Sequence, residues 1–115
     1  MIVQFFSRGK GRGAGPIDYL LGRQRDRPLA TLLRGDADET EALINSSLYA
    51  KKYTSGCLSF EEGNIDEAQK QALMDSFEEC IFVGLDFDQY NCLWVEHRDK
   101  GRLELNFVIP NIELT

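Results

Sequence analysis

The sequence predicts an α+β domain in which a mainly antiparallel sheet is flanked by helices. Strand-like and helical segments alternate along the chain, and the last two strands are separated by so few residues that they must form a hairpin. The chain has 115 residues, 43% of them hydrophobic, which suffices for one domain with a modest core. We therefore predict a single domain over residues 1–115.

The amino-terminal third predicts a strand, a glycine-rich loop and a short helix. Ile2–Ser7 is rich in β-branched and aromatic residues, and the alternating glycines at 9–15 end this strand. Proline is favoured at a first helical position, so we expect Pro16 to open the helix. Gly22 is expected to close it.

A short strand, a helix and a longer strand are expected in the middle of the chain. Leu29–Leu33 predicts the short strand, and Asp36 or Asp38 is expected to cap a helix that ends near Asn45. Tyr53–Phe60 has the strand-favouring residues of the longer strand.

The clearest helix of the sequence begins at Asp66. Apolar residues at helical spacing predict the face that packs on the sheet: Ala68, Ala72, Leu73, Phe77, Cys80 and Ile81. Charged residues such as Lys70 and Glu78 lie outside this stripe. The strands Gln89–Glu96 and Arg102–Ile109 then form the final hairpin.

This hairpin brings several polar side chains to one face of the sheet. If residues 100–101 form a two-residue turn, His97, the single histidine, lies opposite Glu104. Because side chains alternate along a strand, Asp99 and Asn106 share that face. Opposed side chains lie about 4.5–5.5 Å apart, which predicts a metal site. The alternative is an ordinary solvent-facing side of a hairpin, which shows the same alternation.

The glycine loop predicts contact with a phosphate group. A loop between a strand and a helix offers backbone amides and a helix amino-terminus to an anion. Its glycine spacing fits neither the dinucleotide fingerprint nor the P-loop, so a nucleic-acid backbone is favoured over a free nucleotide. The residues predicted to contact DNA are Arg8, Lys10, Gly11, Arg12 and Gly13. A merely flexible loop is the alternative.

Tyr19 falls in the first turn of the helix that follows this loop. A phenol in that position is placed to attack the phosphorus that the loop helps to hold. An unperturbed phenol has a pKa near 10, so it needs local positive potential or a nearby base. Tyr19 could equally be a packing residue.

Charge is distributed unevenly along the chain. The formal net charge is -6, yet residues 1–34 carry seven Lys and Arg against two Asp, a balance of +5. A basic segment on an acidic body suggests a local anion-binding surface, with solvated surface charge as the alternative.

Cysteine use and hydropathy predict a cytoplasmic protein. Cys57, Cys80 and Cys92 are widely spaced and odd in number, which favours reduced core thiols over disulfides or a zinc site. No apolar run is long enough to span a membrane, and the amino-terminus lacks the pattern of a signal peptide.

Long motifs in this sequence resemble the amino-terminal part of plasmid mobilisation relaxases, in particular those of small colicinogenic mobilisable plasmids. The likeness covers essentially all 115 residues and is carried by 1–3, 9–22, 49–56 and 93–107. In that branch of the family, the usual three-histidine metal motif is replaced by His, Glu and Asn. The resemblance implies a relaxase/HUH-endonuclease-like fold.

The resemblance also implies a metal-dependent, site-specific DNA strand transferase. A tyrosine matching Tyr19 attacks single-stranded plasmid origin DNA and leaves a 5′-phosphotyrosyl link. His97, Glu104 and Asn106 match the metal motif, and their donors favour Mg²⁺ or Mn²⁺ over zinc. Asp99 matches the acid that orients the histidine or takes up the tyrosine proton. Accessory mobilisation proteins are the further partners implied.

Family members continue beyond this segment, so the sequence leaves several interpretations open. The chain is expected to be a truncated product, an independently folding fragment, or a protein that keeps the fold without full activity. The rival functions are a non-catalytic DNA-binding remnant and a free-nucleotide-binding module, the latter resting on the glycines alone. The sequence leaves the oligomeric state open.

Overall fold

A computed structural model describes residues 1–61, 65–99 and 101–112, and shows a five-stranded sheet with helices on both faces. The elements are β1 (Ile2–Phe5), α1 (Ala14–Leu21), β2 (Ala30–Arg34), α2 (Ala37–Ser46), β3 (Tyr53–Phe60), α3 (Glu67–Ile81), β4 (Leu93–His97) and β5 (Leu103–Pro110). The strand order is β1-β3-β5-β4-β2, and every neighbouring pair is antiparallel. The predicted α+β class with a mainly antiparallel sheet is confirmed.

One face of the sheet is covered by α1 and α2. Ile17 and Leu20 from α1 and Ile44 from α2 are buried against apolar side chains of the central strands. Those side chains are Leu93, Val95 and Val108. Removing this apolar surface from water fixes α1 over β2 and β4 and α2 over β5, which positions the site described below.

The other face of the sheet is covered by α3. Trp94 and Phe107 are fully buried there, and Phe77 from α3 packs its ring edge-on against Trp94 with the ring centroids 5.4 Å apart. This aromatic cluster holds α3 to the centre of the sheet. The sheet therefore separates two cores that share the strands β4 and β5.

The predicted bounds of α1 need one correction. The helix begins at Ala14, so Pro16 occupies its third position rather than its first. The first-turn N–H groups have no intrahelical partner, which is why proline fits anywhere in that turn. Gly22 ends the helix as predicted, with a φ of +85° and its N–H bonded to the carbonyl of Asp18 at 2.8 Å.

The predicted inner face of α3 was right for Leu73 and Phe77, which pack against the sheet, and wrong for its other members. Lys70, Met74 and Glu78 are buried, whereas Cys80 and Ile81 are exposed. The two charged residues can lie inside because the sheet and its edge offer them partners. These partners are Glu96 for Lys70, and Arg34, Tyr90 and Trp94 for Glu78.

Two predicted strands are shorter in the structure. β1 ends at Phe5 rather than Ser7, and β4 begins at Leu93 because Phe87–Gln89 forms a 3₁₀ turn. The side chain of Gln89 accepts a hydrogen bond from the backbone N–H of Asp86 at 2.8 Å, which stabilises this turn.

The middle of the chain agrees closely with prediction. β3 has the predicted bounds, the predicted strand at Leu29–Leu33 is shifted by one residue, and Asp36 is the cap of α2. Asp66 caps α3 as expected.

The three cysteines are free thiols, as predicted. Cys57 is buried and Cys92 is half-buried, but Cys80 is exposed, so the prediction that all three are core thiols was wrong. In the described part of the chain, no helix has the length and apolar composition needed to span a membrane.

Candidate active site

The β4–β5 hairpin has the predicted register. His97 is paired with Glu104, and Val95 is paired with Asn106, two residues further from the turn along each strand. Side chains two residues apart point to the same face, so all three predicted metal ligands lie on the side covered by α1. The predicted turn includes Lys100, which lies outside the described residues.

These three polar side chains are buried. The exposed fractions are 1% for His97, 4% for Glu104 and 4% for Asn106. A solvent-facing polar side of an ordinary hairpin is therefore the wrong interpretation. Buried polar groups require partners, and the partners found here define the chemistry of the site.

The ring of His97 is held by the main chain of α1. Its Nε2 lies 2.7 Å from the carbonyl oxygen of Leu20. A carbonyl can only accept, so Nε2 donates, and in the neutral ring the lone pair resides on Nδ1. Nδ1 is buried and has no hydrogen-bond partner among the residues that the structure describes. Burial, assisted by the positive charge of Arg27, lowers the pKa of His97 below its ordinary value despite the Leu20 contact.

Glu104 and Asn106 contribute oxygen atoms to the same face of the hairpin. Glu104 accepts a hydrogen bond from Arg102 at 3.3 Å, and the Nδ2 of Asn106 donates to the carbonyl of Val95 at 3.4 Å. The second bond uses the nitrogen of the amide and leaves its oxygen as the donor atom for a ligand. An imidazole nitrogen with carboxylate and amide oxygens suits a divalent ion, and the orphaned Nδ1 of His97 supports that fit.

The described residues contain no group of three or more His, Cys, Asp and Glu side chains arranged to hold a metal ion. The predicted set has only two residues of these types, His97 and Glu104, because its third member is Asn106. The predicted set thus combines one imidazole nitrogen with one carboxylate and one amide oxygen, and is neither an acidic nor a thiolate cluster.

Tyr19 lies next to this site. Its ring stands edge-on to the ring of His97 with centroids 6.3 Å apart, and the side chain is 50% exposed. Tyr19 also lines a cleft of about 380 Å³ together with Arg8, Gly15 and Asn106. Two positions 78 residues apart in the chain, 19 and 97, are therefore neighbours in the fold.

Asp99 has a different partner from the one that the resemblance implied. Its carboxylate accepts hydrogen bonds from Nε of Arg27 at 3.0 Å and from Nη2 at 2.7 Å. These bonds lower the pKa of Asp99 below its ordinary value, so this carboxylate is a weak base. The carbonyl of Leu20, and not Asp99, bonds Nε2 of His97, and the catalytic role expected of Asp99 stays a prediction.

Arg27 is the residue of this site that the sequence did not reveal. It bonds Asp99 across 72 positions of the chain, and its guanidinium carbon lies 5.1 Å from the centroid of the Tyr19 ring. No spacing rule links positions so far apart. In the sequence, Arg27 was distinguished only as one of the seven Lys and Arg residues within 1–34.

The glycine loop is held at both ends. The carbonyl of Gly9 accepts hydrogen bonds from the backbone of Lys52 at 2.6 Å and of Tyr53 at 3.1 Å. At the other end the N–H of Gly13 donates to the side chain of Asn45 at 2.8 Å. A merely flexible loop does not describe this arrangement.

The predicted DNA contacts divide into two groups. Arg8, Lys10, Gly11 and Arg12 are exposed, and Arg8 lines the cleft beside Tyr19. Gly13 is buried against α2 with its N–H occupied, so its predicted DNA contact has to be corrected.

Comparison with known proteins gives two relatives that cover 99% of this chain. It is 82% identical over 114 residues to Cryptic plasmid protein C of Neisseria gonorrhoeae and 57% identical over 114 residues to DNA relaxase MbeA of Escherichia coli. The chain spans 56% of the length of the first relative and 22% of the second. No family model and no solved structure matches it. The resemblance to relaxases that the sequence predicted is confirmed.

Proposed function

Because the chain is related to a DNA relaxase over 99% of its own length, we propose that it is a relaxase catalytic module. It nicks one strand of plasmid origin DNA by transesterification to Tyr19. The observation that carries this proposal is the contact of the Tyr19 ring with His97 at the mouth of a cleft. Accessory mobilisation proteins and a cytoplasmic location belong to the same proposal.

The geometry of the cleft supports binding of a phosphodiester. Arg8 supplies positive charge to its lining, and the exposed loop residues Lys10 and Arg12 extend that charge beyond it. Phosphate contacts of this kind position a nucleic acid without reading its sequence. They would place the scissile phosphate beside the half-exposed phenol of Tyr19.

The proposed reaction balances without a nucleotide cofactor. The Tyr19 oxygen attacks the phosphorus, a tyrosyl O–P bond forms, and the bond from phosphorus to the 3′ oxygen breaks. The phenolic proton passes to solvent or to a base in the cleft, and the leaving 3′ oxygen takes up a proton. The products are a 5′-phosphotyrosyl link and a free 3′ hydroxyl, and the ester keeps the energy needed for later rejoining.

The buried polar set supports a role beyond packing. His97 through Nδ1, with oxygens of Glu104 and Asn106, would hold a divalent ion such as Mg²⁺ or Mn²⁺. Such an ion polarises a non-bridging phosphate oxygen and offsets the charge that develops during displacement. The Leu20 carbonyl keeps Nδ1 available by fixing the proton on Nε2.

The decisive test is Tyr19→Phe. This change removes the nucleophilic oxygen and keeps the ring, so we expect no covalent adduct with a single-stranded origin oligonucleotide in the presence of Mn²⁺, and an unchanged melting temperature. The adduct is measured on a denaturing gel. Tyr49→Phe is the matched control, because Tyr49 is 51% exposed, like Tyr19, but does not line the cleft. Cleavage by Tyr19→Phe at the wild-type rate would refute the assignment.

A second function is DNA binding without cleavage. The observation that favours it is that the exposed basic residues Arg8, Lys10 and Arg12 could contact a phosphate backbone without any reaction at Tyr19. This function predicts oligonucleotide binding by the wild-type chain, no adduct, and no difference between Tyr19→Phe and Tyr49→Phe.

A further inference from the structure

Arg27 connects the tyrosine to the end of β4. Its Nη1 donates to the backbone carbonyl of Tyr19 at 2.5 Å, and its guanidinium lies 5.1 Å from the centroid of the Tyr19 ring. Its Nε and Nη2 both donate to Asp99. One planar group therefore contacts the main chain and the ring of Tyr19 while it is anchored to another element of the fold.

The base of the Arg27 side chain is also fixed. Its own N–H donates to the carbonyl of Leu21 at 2.9 Å, which ties the loop back to the end of α1. Nearby, the N–H of Arg98 donates to the carbonyl of Leu29 at 3.0 Å and ties the same loop to the end of β4. The guanidinium thus projects from a loop that is held on both sides.

These contacts are partly shielded from water. The side chains of Arg27 and Asp99 are 19% and 27% exposed. Partial exclusion of water strengthens a charged hydrogen bond, and the two N–H groups that share the Oδ2 atom of Asp99 hold one edge of the guanidinium on that oxygen. A fixed plane over the phenol ring limits the orientations open to that ring.

We propose that Arg27 is the positioning residue of Tyr19, and that Asp99 acts on the tyrosine through it. This inference rests on the proposed function and deepens it. Arg27 holds the phenol at His97, so that the attacking oxygen meets the phosphate in one orientation. Asp99 fixes the guanidinium and takes no part as a base.

The pattern of donors favours positioning over DNA contact. Each of the three guanidinium nitrogens already donates to a protein acceptor, namely Tyr19 or Asp99. A guanidinium has five N–H groups, so two remain for other acceptors, but Arg27 is not among the residues that line the cleft beside Tyr19.

The test compares Arg27→Gln with Arg25→Gln. Both changes remove one positive charge from the same loop, but Arg25 pairs with Asp18 and Asp38. In Arg27→Gln we expect loss of the nuclear Overhauser effects between the ring protons of Tyr19 and His97. We also expect the single-turnover rate of adduct formation to fall about 10- to 100-fold, because misplacement of a reacting group is costly. The Kd for the origin oligonucleotide and the melting temperature stay close to those of Arg25→Gln.

The outcomes distinguish failure of the positioning role of Arg27 from failure of the proposed DNA cleavage. Unchanged Overhauser effects in Arg27→Gln overturn the positioning role, whatever the activity. An equal loss of DNA affinity and of cleavage rate overturns it also, since Arg27 would then be a phosphate contact. If the wild-type chain forms no adduct but Arg27→Gln alone loses the Overhauser effects, the positioning stands and the proposed function fails.

The part of Asp99 is tested by combining variants. We expect Asp99→Asn to reduce the Overhauser effects and the cleavage rate less than Arg27→Gln does, and the double variant to be no worse than Arg27→Gln alone. Additive losses in the double variant would show that Asp99 acts independently of Arg27, which contradicts the proposal.

Discussion

A single backbone carbonyl decides which nitrogen of His97 is available to a ligand. The Leu20 oxygen accepts from Nε2, so the buried Nδ1 carries the lone pair. Desolvation favours the neutral ring, which is the form that binds a metal. The end of α1, through the Leu20 carbonyl, therefore sets the state of the His97 ring at the end of β4.

We expect Mn²⁺ to raise the melting temperature of the wild-type chain. A ligand at one hundred times its Kd stabilises the native state by about 2.7 kcal/mol. Glu104→Gln, which keeps the shape and removes the charge, should reduce the Mn²⁺-induced rise, and His97→Ala should abolish it. Thermal unfolding with and without Mn²⁺ measures this difference.

The control for the metal prediction is Glu79→Gln. Glu79 is exposed on α3, on the other side of the sheet from the site. It should show the full Mn²⁺-induced rise. If the wild-type chain and His97→Ala respond alike, these residues do not bind Mn²⁺ and the non-catalytic function gains support.

At the scale of the element, the glycine loop offers a matched series. A Cβ on Gly9 would lie 2.4 Å from the carbonyl oxygen of Tyr53, and one on Gly13 would lie 2.6 Å from that of Glu41. No atom outside its chain neighbours lies within 4 Å of a Cβ at Gly11. We expect Gly9→Ala and Gly13→Ala to destabilise the fold by about 1–3 kcal/mol, because backbone atoms must shift.

Gly11→Ala is the control in this series and should change the free energy of unfolding by less than about 0.5 kcal/mol. Urea unfolding measures all three variants. Equal stability of the three would mean that the loop is not anchored at its ends. The only role of the three glycines would then be to keep the loop flexible.

Helix α3 is held to the sheet by a buried ion pair as well as by its aromatic contacts. Lys70 pairs with Glu96, and both side chains are less than 10% exposed. Burial opposes the charge on Glu96, but hydrogen bonds from Lys70 and Arg98 outweigh it and lower its pKa. Removal of Lys70 would therefore leave a buried carboxylate with only its second partner.

We expect Lys70→Met to lower the free energy of unfolding by about 3 kcal/mol, because a buried charge loses its main counter-charge. The double variant with Glu96→Leu should regain most of that loss, since an apolar pair of similar size needs no counter-charge. Urea unfolding of the two single variants and the double variant measures the coupling. A double variant as unstable as the sum of the single variants would contradict this account.

For the whole molecule, charge is segregated rather than balanced. The net charge is -6, yet the exposed loop carries Arg8, Lys10 and Arg12. We expect binding of single-stranded DNA to weaken with salt, and the slope of log K against log salt to fall by about 0.7 for each of these residues replaced by Gln. Arg25→Gln, whose charge is already paired, should leave the slope unchanged.

The fold was largely predictable because its signals are local. The strand at 53–60, the cap at Asp66 and the register of the final hairpin each depend on neighbouring residues, and all three were confirmed. The burial of Lys70 on the inner face of α3 was not predictable, because it depends on Glu96 in another strand. The same reason hid Arg27, whose partners come from α1 and from the end of β4.

The candidate site was predictable in part. The alternation in the hairpin predicted the shared face of His97, Glu104 and Asn106, and the position of Tyr19 after the glycine loop made it a candidate, which the resemblance supported. Burial of that face under α1, and the Leu20 contact that sets the tautomer, depend on how a distant helix packs on the strands. Packing between elements that are distant in the chain produces no periodic pattern in the sequence.

Trp94 is the single tryptophan of the chain, and its indole is fully buried on the α3 side of the sheet with its N–H bonded to Glu78 at 2.9 Å. Its fluorescence therefore follows global unfolding, while a metal ion or an oligonucleotide arriving under α1 meets the opposite face of the strands. The chain carries an intrinsic optical reporter that separates loss of fold from loss of ligand in every variant of the cleft.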